Sequence, residues 1–543
     1  MKEYLSEIIA SAADNLEFPS TNFTVEHPKL EQHGNYSSNI ALTLTKHLRR
    51  NPMEIAKSIV DVMEFDQEAI EEVRIAKPGF INFFLSKDYF RDQLTTIHEQ
   101  GGNFGKQSKK DAPTALVEFV SANPTGPLNV GHGRQAVLGD TLANFLEWNG
   151  YSVTREYYYN DAGRQMRVLA ESVKSRYYEL LDQAYDFPED GYQGEYIRGI
   201  AQSLVDEHGK GLVSESGLDP FLEAAEGAVF EDINGTLEQL GIQFDNYFNE
   251  RSLYDDGAIE KVLATFKNKG YSYEKDDAVW FKATEFGQEQ DRVIVKSSGE
   301  PTYRLPDIAY HTTKIDRGFD RIIDLFGADH HAAYPDVIAG LKALGYSTEK
   351  IEVYLHQFVT LMREGKKMKM STRKANYVTL DELMDEVGID VVRYFFNMRT
   401  MNSHLNFDLD LALKQSDENP VFYLQYAHAR ICSIFKKAKE RGVDVRDSTP
   451  DLSVLGEQEE INLIEKMLEF PEIIESCGEN LEPVLLCQYL QDLATALHKF
   501  YTECIVISDN AKLTQARLYL IDATRIVLAN GLTVLGITAP ERM

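Results

Sequence analysis

Residues 121–134 read SANPTGPLNVGHGR, and what flanks them decides the fold. The preceding run, TALVEFV at 114–120, is short, apolar and rich in β-branched and aromatic side chains, which marks a buried strand. Pro124, Gly126 and Pro127 then interrupt regular structure. Over 135–148 the apolar residues Leu138, Leu142, Phe145 and Leu146 fall on one helical face, with Gly150 as the stop. Strand, tight turn and helix in this order build an open α/β sheet whose ligand site lies at the carboxyl end of the strand, against helix N-terminal amides. Gly131 and Gly133 allow close backbone approach there, and His132 and Arg134 supply donors, so a nucleotide phosphate is the expected guest. Taken alone, glycine, histidine, glycine after a strand fits a structural turn with a satisfied histidine equally well.

At 543 residues and 43% hydrophobic content, the chain can build two to four domains with cores of their own. Cys432, Cys477, Cys487 and Cys504 include no C-x-x-C pair, which argues against a zinc site or disulfide framework and for a reducing compartment. The start, MKEYLSEIIASAADNL, breaks its apolar residues with acids, unlike a signal peptide, and no apolar run is long enough to span a bilayer. A soluble, cytoplasmic protein without membrane contact is expected. The net charge of -30 opposes indiscriminate nucleic-acid binding, because phosphate attraction needs positive surface. The local exception is REGKKMKMSTRK at 363–374, with six basic residues against one acid. Smaller basic clusters at 46–50 and 436–441 read as solvated faces.

Three domains are expected. Residues 1–110 form an N-terminal α+β domain, with a helical stripe of Ile40, Leu44 and Leu48, a strand in GFINFFL at 79–85, and a linker at 101–111. Residues 111–408 alternate strand-like and helix-like segments, the pattern of a Rossmann-like parallel sheet. A strand around Tyr157, Tyr158 and Tyr159 precedes a helix capped by Asp161, with Met166, Leu169, Val173 and Tyr177 on one face. An acid-rich insertion is expected within 180–300, and further strands at 321–326 (RIIDLF) and 351–355 (IEVYL). Asp329, His330 and His331 cluster in GADHHAAYP, but neighbouring histidines rarely point at one ion and no other ligand stands at a useful spacing. A polar cleft rim is expected there, and no protein metal site. Residues 409–543 form an all-helical domain, with stripes Ile461, Ile464, Leu468 and Leu486, Leu490, Leu493, Leu497, Phe500.

Two motifs make the chain recognisable. Asn129, Val130, Gly131 and His132 resemble the HIGH signature of class I aminoacyl-tRNA synthetases, and Lys369, Met370, Ser371, Thr372 and Arg373 resemble their KMSKS loop. The segments EFVSANPTGPL, EPTYRLPDIAYH, NPVFYLQYAHARICSI and APERM are similar to arginyl-tRNA synthetases, and the resemblance covers nearly the whole chain. It implies an N-terminal domain on the tRNA elbow, a catalytic core, and a helical domain that reads the anticodon. The implied activity is ATP-dependent ligation of L-arginine to arginine tRNA through an arginyl-adenylate, with ATP as substrate, Mg2+ bridging the phosphates, and a monomer as the acting unit. His132 and Lys369 are the implied catalytic donors, and Asn129, Gly131, His132, Arg134, Lys369, Met370 and Ser371 the implied ATP contacts.

The resemblance places Glu118, Ser121, Asn123, Tyr303 and Asp307 in the arginine pocket. Asp307 is assigned the guanidinium, Tyr303 the orientation of the side chain, and Glu118 and Asn123 the α-amino end. A planar, permanently charged guanidinium needs such fixed carboxylates and acceptors. Without the resemblance, Tyr303 and Asp307 read as a packed tyrosine and a helix cap. Two positions depart from the class pattern: Asn129 stands for the first histidine of HIGH and Thr372 for the second lysine of KMSKS, with Arg373 or Lys374 next to supply the charge. Tyr423, Gln425, Tyr426, His428, Arg430, His498, Tyr501 and Met543 are candidates for anticodon contacts, since unpaired bases are read by stacking and edge hydrogen bonds. Small-molecule nucleotidylyltransferases share similar histidine turns but need neither the helical domain nor the long basic stretch. A catalytically altered, synthetase-like RNA-binding protein is the other alternative, hinted at by Asn129 and Thr372 alone.

Overall fold

The structure is a computed structural model that describes residues 1–161, 163–368, 378–443 and 449–543. Its centre is a five-stranded sheet of β1 (Thr114–Glu118), β2 (Ser152–Tyr159), β3 (Asn246–Asn249), β4 (Arg321–Gly327) and β5 (Ile351–His356), in the order β3-β2-β1-β4-β5. All neighbours are parallel. Ala115, Leu116 and Val117 in β1 and Ile323 and Leu325 in β4 are fully buried, as a sheet covered on both faces requires. The strand order reverses between β1 and β4, which opens a crevice beyond their carboxyl ends.

Helix α1 (Val130–Trp148) connects β1 to β2 and starts five residues before its apolar periodicity does. Asn129 caps it: the side-chain oxygen accepts from the N–H groups of Gly131 (2.8 Å) and His132 (3.0 Å). The helix is buried nearly all round, so a one-sided stripe understates it. Gly139 lies so close to Phe119 that a Cβ there would meet its ring at 2.1 Å.

Between β2 and β3, helices Arg164–Leu180, Glu195–His208 and Asp219–Gln239 pack together. Met166, Leu169, Val173 and Tyr177 are buried in the first of them. Asp161 does not cap that helix. Its N-cap position is Gly163, without a side-chain bond, and Asp161 instead accepts from the Arg251 N–H (3.3 Å) and pairs with the Arg251 guanidinium. β3 lies within 180–300, so that acid-rich stretch contributes a strand to the central sheet; four residues are too short to carry a periodic signal. After β3 come a three-stranded antiparallel sheet (Ser272–Lys275, Ala278–Phe281, Arg292–Val295) and helix α2 (Arg304–Asp316).

On the N-terminal side, an antiparallel sheet of Val25–Glu26, Tyr36–Ser38, Phe80–Leu85 and Ile70–Ala76 is joined by helices Lys2–Asn15, Ile40–Leu48, Pro52–Val62 and Lys87–Gln100. Beyond β5, α3 (Leu380–Val387) and α4 (Ile389–Asn397) lead to a helical region whose main members are Pro420–Glu440, Gln458–Leu468, Phe470–Asn480, Pro483–Glu503 and Ala511–Val534. Leu486, Leu490, Leu493, Leu497 and Phe500 are all buried there. Among the described residues no helix is long and apolar enough to cross a membrane.

Candidate active site

The chain leaves β1 through an unusual turn. Val120 (φ +66°) and Ser121 (φ +39°) are both left-handed, a region that costs non-glycine residues about 1–3 kcal/mol each and a β-branched valine most. Local bonds hold the kink. The Ser121 hydroxyl donates to Glu118 Oε1 (2.9 Å) and accepts from the Tyr158 N–H (3.0 Å), while the Tyr157 hydroxyl donates to the Ala122 carbonyl (2.7 Å). The turn lets Glu118, Ser121 and Asn123 border the crevice rather than continue the sheet.

That crevice has a volume of about 720 Å³ and is bordered by Glu118, Ser121, Asn123, Asn129, Gly131, His132, Tyr303 and Asp307. One cavity therefore gathers the first signature motif and all five residues expected around arginine. Asp329 and His330 also line it, from the loop after β4, whereas His331 is not among its lining residues.

Arg134 is elsewhere. Its side chain is fully buried, and its guanidinium donates to the carbonyls of Gln357 (2.7 Å), Ser403 (3.0 Å) and Thr400 (3.0 Å), so it braces the fold and is not available to a phosphate. Gly133 likewise makes room for packing: a Cβ there would meet Leu380 Cδ1 at 2.5 Å. Lys369, Met370, Ser371, Thr372, Arg373 and Lys374 lie outside the described residues. The chain that follows them sits against the first motif: the Leu380 N–H donates to the Leu128 carbonyl (2.8 Å), and Asn129 and Thr379 form an antiparallel bridge.

The crevice has two chemically different ends. At one, the α1 N-terminus offers backbone amides and His132. Burial pushes the His132 imidazole down to about 4, with Asp329 pulling weakly the other way, so it is neutral at pH 7. The Asn129 N–H points at His132 Nδ1 (3.4 Å), which leaves the ring proton on Nε2 as a donor. His356, at the end of β5, also lines the cavity and is held to about 4 by burial first and Arg134 second. This end suits an anion.

The other end is acidic. Asp307 sits in the first turn of α2, and Tyr303, at the N-cap position, is 59% exposed beside it. Burial, followed by the Glu118 and Glu250 carboxylates, pushes the Asp307 carboxyl up to about 7 against the opposing pull of His311 and Lys314. Glu118 is only 3% exposed, and Asn123 donates to Gln165 (2.8 Å) at the rim. Glu250 was not legible beforehand. It follows β3, accepts from the Tyr158 hydroxyl (2.8 Å), and burial raises its carboxyl above the usual range. Three largely desolvated carboxylates border one cavity, Glu118 already paired with the buried Lys314, and the charge of the other two favours a cation.

In the helical region a second cavity of about 280 Å³ is bordered by Asp417, Phe422, Tyr423, Tyr426 and His498. The Phe422 and Tyr426 rings are parallel, and the Tyr423 hydroxyl bonds His498 Nδ1 (2.6 Å). Gln425 and His428 are engaged internally, Gln425 with Asp390 (2.7 Å) and His428 with the Pro540 carbonyl (2.9 Å). Arg430 lies over the ring of Tyr501, whose hydroxyl is buried, and Met543 is exposed.

Three family models match the chain: the arginyl tRNA synthetase N-terminal domain at 1–85, the class I (R) tRNA synthetase catalytic domain at 93–398, and the DALR anticodon-binding domain at 424–543. An arginine–tRNA ligase of Desulfotalea psychrophila is 51% identical, covering 100% of this chain and 99% of its own. One from Salinibacter ruber is 51% identical over 100% of both chains. The solved Thermus thermophilus arginyl-tRNA synthetase has the same fold, with a TM-score of 0.79 at 24% identity over 100% of both chains. A signature helix facing an acidic slot at the strand-order reversal, with matching domains on either side, shows that the chain belongs to the arginyl-tRNA synthetase family of class I tRNA synthetases.

Proposed function

We infer that the protein ligates L-arginine to arginine tRNA at the expense of ATP, and that the crevice between β1 and β4 does the chemistry. The observation that carries this is the shared cavity: the α1 N-terminus and the slot of Glu118, Asp307 and Glu250 border one space of about 720 Å³. Arginine lies with its guanidinium toward Asp307 and Glu250, its aliphatic stem along Tyr303, and its α-ammonium toward Glu118, Ser121 and Asn123. Its carboxylate then faces the α1 end, where the phosphates of ATP meet backbone amides and the His132 Nε2–H.

A carboxylate oxygen of arginine attacks the α-phosphorus, the bond to the β-phosphate oxygen breaks, and pyrophosphate leaves an arginyl-adenylate. The terminal ribose hydroxyl of the tRNA next attacks the acyl carbon, and AMP departs. No protein nucleophile takes part, so the protein contributes positioning and charge stabilisation. His132 contributes a neutral donor at the phosphate end, and we assign the cationic share to Lys369 of the second motif, flanked by Met370 and Ser371. Asn129 spends its side-chain oxygen on the helix cap, so only its amide nitrogen can serve the nucleotide. Mg2+ belongs to the reaction as the ATP complex.

We assign 1–110 to the tRNA elbow, 111–408 to catalysis and 409–543 to the anticodon, with the Phe422, Tyr423, Tyr426 and His498 cavity as a base-stacking platform. A cytoplasmic monomer is the proposed working form. Pyrophosphate exchange into ATP, measured with each amino acid and with and without tRNA, tests the assignment. Exchange with arginine in the presence of arginine tRNA is expected; exchange with another amino acid, or with none, overturns it.

A further inference from the structure

We propose that Lys314 is a positioning residue for arginine binding, an internal counter-ion beneath the slot that fixes Glu118 and offsets the charge of the neighbouring acids. The proposal rests on the slot being the arginine site. Asp307, His311 and Lys314 stand at helical spacing on α2, so one face of that helix presents all three toward the sheet. Lys314 is fully buried. Its ammonium donates to Glu118 Oε2 at the end of β1 and to Asp324 Oδ1 (2.6 Å) in β4, and lies 4.3 Å from the centre of the Tyr310 ring. With the Ser121 hydroxyl on Glu118 Oε1 and the Lys314 ammonium on Oε2, both oxygens of that carboxylate are pinned, the second by a buried lysine that does not border the cavity.

Lys314 sits among other paired titratable groups and is the cation that joins Glu118 to Asp324. His311 bridges Asp324 (3.0 Å) and the Asp307 carbonyl (2.8 Å), Tyr310 donates to Glu156 (2.7 Å), and Arg317 pairs with that same Glu156. Burial, then Glu118 and Glu250, push the Asp307 carboxyl upward, while His311 and, to a smaller extent, Lys314 pull it down. Stability is a weak reason for burying this lysine, because buried ion pairs seldom outperform apolar packing of equal volume. Its contact with a carboxylate that lines the cavity gives it a functional reason.

The test uses the full-length protein and three variants: Lys314→Met/Asp324→Asn, which removes the cation and one acid together; Asp324→Asn alone; and Lys314→Gln, which keeps a donor but no charge. Thermal melting identifies the folded variants, and steady-state aminoacylation gives KM for arginine and for ATP across pH. The double variant is expected to raise the arginine KM at least tenfold, leave the ATP KM within twofold, and move the acid limb of kcat/KM for arginine to higher pH. Asp324→Asn, with Lys314 still on Glu118, keeps the arginine KM within about threefold. Lys314→Gln moves the acid limb with a smaller rise in KM. A folded Lys314 variant with the parent's arginine KM and acid limb overturns the proposal, whereas a parent that does not use arginine overturns the slot assignment beneath it.

Discussion

Arginine affinity should depend on pH through Asp307. Its carboxyl is pushed up to about 7 by burial and by Glu118 and Glu250, so at neutral pH about half of the molecules carry a protonated group at the position proposed for the guanidinium. The guanidinium selects the ionised form and stays charged throughout the range, so the sign is fixed: affinity is full above the raised value and falls as the solution is acidified. The ionised fraction is about 0.91 at pH 8 and about 0.09 at pH 6, so the apparent dissociation constant should rise roughly tenfold, about 1.4 kcal/mol. Isothermal calorimetry at pH 6, 7 and 8, in buffers of different ionisation enthalpy, measures both the affinity and the protons released. Close to one proton should leave per arginine bound at pH 6 and few at pH 8. Against burial and Lys314, Asp324 and Asp307 raise the His311 imidazole above its ordinary value, and the ring bonds the Asp307 carbonyl, so Asp307→Asn serves as the control: it binds arginine weakly and without this proton release. A flat affinity from pH 6 to 8 in the parent would refute the coupling.

Two other substitutions separate binding from scaffolding. Glu250→Gln removes one carboxylate of the slot while keeping a partner for the Tyr158 hydroxyl; arginine KM should rise on the order of 10- to 100-fold with the ATP KM unchanged, and an equal rise in both would contradict its place at the guanidinium end. Arg134→Met removes the buried guanidinium that donates to the part-buried carbonyls of Gln357, Ser403 and Thr400, of which Thr400 keeps its bonds from Ser403, and should lower unfolding stability by about 2 kcal/mol in chemical denaturation, while a folded variant retaining the parent's ATP KM agrees with a bracing role.

The central turn was legible because it changes chemistry abruptly: an apolar strand, two prolines, glycines, then a helix. Where α1 begins was not, because Asn129 caps through its own side chain and the first turn has no apolar rhythm. Arg134 looked like a phosphate donor because a basic residue follows a glycine-histidine motif. Its three acceptors lie more than 220 positions away in sequence, and only the fold reveals them. Glu250 was hidden for the same reason, being attached to a four-residue strand inside a stretch that reads as an insertion. Asp307, Tyr303 and Glu118 were reached through family resemblance, and composition or periodicity alone would have left them as packing residues. Gly133 shows the opposite error: a glycine credited to ligand approach serves helix packing against Leu380.

Recognition of positive charge is the property on which arginine selection by the slot depends. Citrulline matches arginine in length and shape but replaces the charged guanidinium with a neutral ureido group, so in this slot it would leave Asp307 and Glu250 without a cation. Charging of arginine tRNA with the two amino acids side by side measures that directly. The expected result is efficient transfer of arginine and a kcat/KM for citrulline lower by roughly a thousandfold or more. Comparable charging with citrulline would contradict the claim that three carboxylates at the mouth of this sheet select the substrate.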